Sequence, residues 1–216
     1  MYKTIKENVL YIAKEMLKRG LTDGTAGNVS VIDRANDCIA ITPSGLPYEQ
    51  MDEEQVCVMD STGKIIASTC KPSSEWRMHL RVFSAREDIS VVLHTHSRYS
   101  IAMASTHTPL PAITVDMAAY CGPLAPVIPY RTPGSEELAA LVAQELAQGR
   151  QAVLLANHGS LVVAPEAEIA LEAAAALELA AMAYIRGSVV APPVPIPEEE
   201  VDKLFGLVYG ESKGAV

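Results

Sequence analysis

Two histidines separated by one threonine close an apolar run, Val91-Val92-Leu93-His94-Thr95-His96. A short run of β-branched residues and leucine reads as a buried strand, on which side chains two apart point to one face. His94 and His96 therefore look out together. Imidazoles placed this way suit a borderline cation such as zinc, which needs a third protein ligand to make a site. A second apolar run, Ala152-Val153-Leu154-Leu155-Ala156-Asn157-His158-Gly159, offers that ligand, and its glycine lets the backbone turn sharply. The plainer reading is that these are polar residues closing two strands; a third histidine at a strand end weighs against it.

A chain of 216 residues, 49% hydrophobic and 20% charged, is expected to form one soluble domain, 1–216, with a sizeable core. Its net charge of −9, without a basic cluster, gives no footprint for nucleic acid or an anionic membrane, so any phosphate must be held locally. Cys38, Cys57, Cys70 and Cys121 form no Cys-x-x-Cys pair, and the N-terminus lacks the apolar core of a signal peptide. Both point to a reducing cytoplasm. The longest apolar stretch, 167–185, contains Glu168, Glu172 and Glu178, which makes it a helix face and not a membrane span.

The elements that must position the histidines follow from periodicity. Ile5, Val9, Ile12, Ala13, Met16 and Leu17 fall at helical spacing, and Gly20 stands where such a lid or packing helix stops. The loop Gly24-Thr25-Ala26-Gly27-Asn28-Val29-Ser30 runs into a strand over 29–32. Thr42-Pro43-Ser44-Gly45 follows a second strand, 38–41, and has the same small-residue character. Loops of this kind bring backbone N–H groups close to an anion, and two at neighbouring strand ends point to a shared pocket. Residues 56–59 and 65–67, joined by Asp60-Ser61-Thr62-Gly63-Lys64, read as a hairpin, so the first half is an antiparallel meander.

Pro72-Ser73-Ser74-Glu75 then opens a helix with Trp76, Leu80 and Phe83 as its buried stripe. A serine here caps the helix or holds a phosphate. Glu75 reads as a first-turn carboxylate matched to the helix dipole, and His79 as a packed polar residue. Residues 97–105 form a short helix. The proline-dense stretch 106–134 carries short strands around Ile113 and Val127, with Asp116, Tyr120 and Tyr130 as its notable polar groups. Ser135 caps a helix that runs to Leu146, a strand covers 161–163, and a long alanine-rich helix extends from Pro165 to Ile185. Residues 191–216 are a Pro-rich spacer and a last short helix containing Tyr209.

Taken in order, Gly24-Thr25-Ala26-Gly27-Asn28-Val29-Ser30, Ile41-Thr42-Pro43-Ser44-Gly45-Leu46-Pro47-Tyr48-Glu49, Ser73-Ser74-Glu75-Trp76-Arg77, His94-Thr95-His96 and His158-Gly159 resemble the class II aldolase and adducin head family, over about Ile5 to Tyr209. Each motif is modest alone; five in order are specific. The resemblance implies an α/β fold, a three-layer α/β/α sandwich around a mixed, largely antiparallel central sheet. It implies one Zn2+ per subunit, or another divalent metal, on His94, His96, His158 and Glu75. It also implies a sugar-phosphate substrate whose phosphate is held by Asn28, Ser44, Gly45, Ser73 and Ser74, with Thr25 and Gly27 shaping the loop, and a homotetramer with interfacial active sites.

The activity so implied is reversible cleavage of a ketose 1-phosphate to dihydroxyacetone phosphate and an aldehyde. The cation serves as Lewis acid, and Glu75, displaced from it, as general base. Family aldolases carry a proton-donating tyrosine shortly after Pro-Ala-Ile; here Pro111-Ala112-Ile113 is followed by Thr114 and Val115. Tyr120 is the first substitute, with Asp116 and Tyr209, the latter reaching a neighbouring subunit, behind it. Other family activities keep the metal site. Sugar-phosphate 4-epimerases place aspartate where Glu75 stands and an acid near Ala119, two differences from this chain; decarboxylases and a methylthioribulose-phosphate dehydratase stay open. The adducin head, a binding module without catalysis, lacks the metal histidines, so their retention here argues for an enzyme.

Overall fold

In the computed structural model residues 2–210 are described; Met1 and positions 211–216, the end of the expected tail, lie outside them. Helix α1 (Lys3–Lys18) leads into β1 (Asn28–Asp33), β2 (Cys38–Ile41), β3 (Cys57–Met59) and β4 (Ile65–Ala67). Then come α2 (Trp76–Ala85), β5 (Val91–Thr95), α3 (Arg98–Ser105), β6 (Leu110–Pro111), α4 (Val115–Cys121), β7 (Leu124–Ala125) and β8 (Val127–Ile128). Helix α5 (Glu136–Leu146), β9 (Ala152–Leu155), β10 (Gly159–Ala164), α6 (Ala167–Gly187) and α7 (Glu198–Tyr209) complete the described chain. The main sheet has the order β4-β3-β2-β1-β5-β10-β9-β8. Its pairings are antiparallel except β8 with β9, so the sheet is mixed and largely antiparallel.

Strand alternation divides the core into two. Val91, Leu93, Leu154 and Val162 pack with α1, α3, α4 and α6 on one face. Val92, Val153, Leu161 and Val163 pack with α2 and α5 on the other. With both faces covered, the central strands are apolar throughout, which is why they read as continuous runs. The result is a three-layer α/β/α sandwich. No helix among the described residues is long and apolar enough to cross a membrane.

Three sequence expectations need correction. The strand expected around Ile113 lies at Leu110–Pro111 and pairs with β7 in a separate two-stranded sheet. Residues 115–121, read as loop, form α4, whose start is capped by Thr114 Oγ1 accepting from the Met117 N–H at 3.3 Å. Seven residues among prolines are too few to display a helical period. Trp76 is only partly buried, and the α2 stripe is completed by Met78, His79 and Val82.

Two glycines allow backbones to meet beside the histidines. A Cβ at Gly27, whose φ is +69°, would stand 2.5 Å from the His94 carbonyl oxygen. A Cβ at Gly159 would stand 2.3 Å from that of Thr95. Both obstacles are backbone of β5, which has nowhere to retreat between β1 and β10. Gly159→Ala is therefore expected to destabilise the fold by about 1–3 kcal/mol through overpacking, read as a lower midpoint in denaturant unfolding.

Candidate metal centre

Strand β5 lies between β1 and β10, with Asn28 and Leu161 as the register partners of His94. His94 shares the face of Val92 and so looks towards α2, while His96 follows one step past the strand end. His158 sits in the tight connection from β9 to β10. Asn157 takes φ +58° there, a conformation asparagine tolerates better than most residues, and the His158 N–H donates to the Leu155 carbonyl at 3.0 Å. Glu75 stands at the start of α2 without a capping bond from its side chain; the carboxylate turns to the histidines instead. The dipole-matching role read for it from its position is therefore not the one its side chain takes.

Ligand atoms of Glu75, His94, His96 and His158 all lie within 4.8 Å of one another. His94 Nε2 is 3.0 Å from His96 Nε2 and 3.2 Å from Glu75 Oε2, and His158 Nε2 is 3.6 Å from Glu75 Oε1. The rings meet edge to face with centroids 4.8–4.9 Å apart, so nitrogens and not ring faces converge. A tetrahedral zinc with bonds of about 2.0–2.1 Å needs ligand atoms roughly 3.3 Å apart, which the three distances just given bracket. Buried Glu75 Oε1 and His158 Nδ1 have no hydrogen-bond partner. An orphaned carboxylate oxygen beside converging imidazoles fits a divalent cation.

The protonation states suit that role. His96 and His158 are each lowered to about 4 by burial and by the neighbouring charge of His94, against the pull of Glu75, which leaves their rings neutral at pH 7. Burial alone would raise the Glu75 pKa. The His94 charge and hydrogen bond, the His158 charge and the Asn28 hydrogen bond outweigh it and hold the carboxyl well below its usual range. His94 Nδ1–H donates to the Ser160 carbonyl at 2.8 Å, which fixes the ring and leaves Nε2 facing the centre.

The loops expected to hold a phosphate meet beside this centre. Pro43 bridges to Pro72, the Ser44 N–H donates to Lys71 O at 2.9 Å, and the Ser73 N–H donates to Thr42 O at 3.0 Å. With those amides engaged, Ser44 and Ser73 have their hydroxyls to offer. Ser73 is buried and its Oγ accepts from the Glu75 N–H, whereas Thr25, Ser44, Gly45 and Ser74 are exposed. Gly27 is tied in by its carbonyl, which accepts from Tyr48 OH at 2.8 Å. Gly134, before α5, approaches so closely that a Cβ on it would lie 2.7 Å from the Ser74 carbonyl oxygen.

Asn28 has two polar side-chain partners within the protein. Its Nδ2 donates to Glu75 Oε2 at 3.0 Å, and its Oδ1 accepts from His79 Nε2. His79 is fully buried, and its Nδ1 faces Ser30 Oγ at 2.6 Å. It is a packed polar residue and not a ligand, as its position predicts, yet it and Ser30 belong to the site's support. The signal was available: Asn28 and Ser30 are two apart on a strand, Glu75 and His79 four apart on a helix. Both spacings are about 6–7 Å, so the pairs can meet rung to rung.

Of the substitutes for the missing tyrosine, Tyr209 is placed away from the histidines. Asp116 is exposed in the first turn of α4. Tyr209 OH donates to the Tyr120 carbonyl at 2.8 Å, and burial raises its pKa. Tyr209 borders a cavity with Arg86, Asp88 and Gln151, where β5 and β9 begin, while the histidines are at the strands' other ends.

Residues 7–185 match the family described as Class II Aldolase and Adducin N-terminal domain, and the chain belongs to it. It is 37% identical over 199 residues to the 5-deoxy-D-ribulose 1-phosphate aldolase of Bacillus thuringiensis serovar kurstaki, covering 92% of each chain. It is 39% identical to the L-fuculose phosphate aldolase of Escherichia coli O6:H1, over 86% of this chain and 85% of that one. A solved L-fuculose 1-phosphate aldolase superposes with a TM-score of 0.89 at 36% identity, over 94% of this chain and 95% of that one. These relatives are aldolases, enzymes of the lyase class.

Zinc added to metal-free protein is expected to raise the thermal unfolding midpoint. The gain approaches about 4 kcal/mol at a thousandfold excess over Kd. His158→Ala should lose most of that rise, as followed by calorimetry with and without chelator.

Proposed function

We propose that this chain is a zinc-dependent lyase that reversibly splits a ketose 1-phosphate into dihydroxyacetone phosphate and an aldehyde. The observation that carries the reading is the meeting of three imidazole nitrogens with an orphaned carboxylate oxygen, beside paired serine loops. Its relatives, named for L-fuculose phosphate and 5-deoxy-D-ribulose 1-phosphate, support the substrate class.

His94, His96 and His158, with Glu75 at rest, would hold the ion. When bound, it supplies Lewis acidity for the negative charge that gathers on the keto oxygen. Every other step falls to the protein. In cleavage the C4 hydroxyl gives its proton to the group that protonates the aldehyde oxygen in synthesis, the C3–C4 bond breaks with its electron pair left towards C3, and Glu75, which takes up a solvent proton once displaced from the ion, delivers it to C3. In synthesis the Glu75 carboxylate removes that proton, a task suited to a buried base within reach of the carbon. The hydroxyls of Ser44 and Ser73, with Thr25, Gly27, Gly45 and Ser74 around them, fix the phosphate and so orient the three-carbon unit. In this reading Asn28 serves the phosphate only through whatever its second amide hydrogen can reach.

The proton for the aldehyde oxygen comes from Tyr120, Asp116 or Tyr209. Tyr209 fits that role only across a subunit interface, as in a homotetramer with interfacial sites. A reducing cytoplasm suits the four free thiols.

The test is exchange of a C–H proton of dihydroxyacetone phosphate with deuterated water. Exchange should require the metal and fall at least a hundredfold in Glu75→Gln. Exchange that survives in that variant removes Glu75 from its role. Ketose 1-phosphates that bind without releasing dihydroxyacetone phosphate would point to a decarboxylase or dehydratase instead.

A further inference from the structure

The interior between β1 and α2 holds a line of polar groups, two of which, Ser30 and His79, neither metal binding nor phosphate binding uses. Ser30, His79 and Asn28 are each buried, 3% exposed or less, and connect in series to Glu75 Oε2. Polar groups kept this far from water are costly unless each bond is made, so the series has a defined direction.

That direction can be worked out from the carboxylate. Ionised Glu75 only accepts, so the Asn28 group facing Oε2 at 3.0 Å must be the amide N–H. Asn28 Oδ1 then faces His79 Nε2, which must carry the proton and donate it. His79 Nδ1 is left as an acceptor, and Ser30 Oγ–H donates to it at 2.6 Å. Burial, with the nearby His94 charge, lowers the His79 pKa to about 3 despite Glu75, so the ring is the neutral, single-tautomer group that this series requires. A reversed Asn28 would set its carbonyl against Oε2, acceptor against acceptor.

We infer that His79, seated by Ser30, is a positioning residue that locks the Asn28 amide so that Glu75 Oε2 is held and Oε1 is the oxygen left free to act. The inference rests on the reading of Glu75 as ligand and base. Without His79 the Asn28 amide can rotate, and Glu75 Oε2 loses the amide bond that orients it. Outer partners of this kind set the orientation of the groups that do the chemistry.

The variants are His79→Leu, which keeps bulk without a donor; His79→Gln, which restores an N–H near Nε2; and Ser30→Ala, which removes one hydroxyl. At saturating zinc, His79→Leu should lower kcat for deuterium exchange about 10–100-fold with KM for dihydroxyacetone phosphate changed less than about threefold. His79→Gln should recover most of the loss, and Ser30→Ala should show the same pattern more weakly. Unchanged kcat in His79→Leu, equal loss in the Leu and Gln variants, or a rise confined to KM would overturn the inference. The last would assign Asn28 to the phosphate.

Cobalt-substituted protein gives a second readout that needs no turnover. The visible absorption bands of bound Co2+ should shift in His79→Leu and stay near the wild-type positions in His79→Gln. Should wild type show no exchange, the proposed reaction fails while these spectra still decide the positioning role, identical bands in all three proteins counting against it. Should His79→Leu not fold, Ser30→Ala carries both measurements.

Discussion

Four atoms that all present lone pairs once His94 is neutral are drawn within 4.8 Å of each other in a mostly buried place. Brought together alone, they repel; a shared positive charge turns the same arrangement into an attraction. The rest of the molecule makes this crowding tolerable. Central strands bonded on both sides cannot slip, since a one-residue shift would turn every core residue of β5 to the wrong face. His94 is thus placed by the same register that places Leu93 and Val92 in opposite cores. Glu75 arrives on a helix packed against that sheet, and His158 on a turn between two paired strands.

Much of the frame was legible in the chain. The apolar runs at 91–95 and 152–155, the capped helix after Ser135 and the alanine-rich helix each carry a pattern long enough to show its period, and they appear within a few residues of the expected bounds. The stretch 106–134 was less so. Two-residue strands and a seven-residue helix have no period to display, and six prolines suggested loop where Thr114 in fact starts α4. What decides such elements is contact with distant chain, as when the Ile196 N–H donates to the Ala112 carbonyl at 2.8 Å.

For the site, the histidines could be read from spacing because a strand projects alternate residues to one face. Glu75 could not, since its first-turn position has an adequate local explanation in the helix dipole. Only the fold shows its side chain turned from the helix end to the imidazoles. The positions of the serine loops were foreseeable as two similar turns, but their union through Pro43 and Pro72 joins segments about thirty residues apart, a matter of topology. Asn28 was read for its loop and not for its strand, which is why its engagement with His79 went unseen.

A further tie lies behind the histidine strand. Glu178, on α6, accepts from the Tyr99 and Ser100 N–H groups at 2.8 Å and from the Ser100 hydroxyl at 2.9 Å, capping α3 just after His96. The chain's exit from β5 is thereby anchored by an acid some eighty positions later. Anyone re-engineering the alanine-rich helix for stability or for a new assembly would need to preserve a carboxylate at 178, even though it faces away from the reaction.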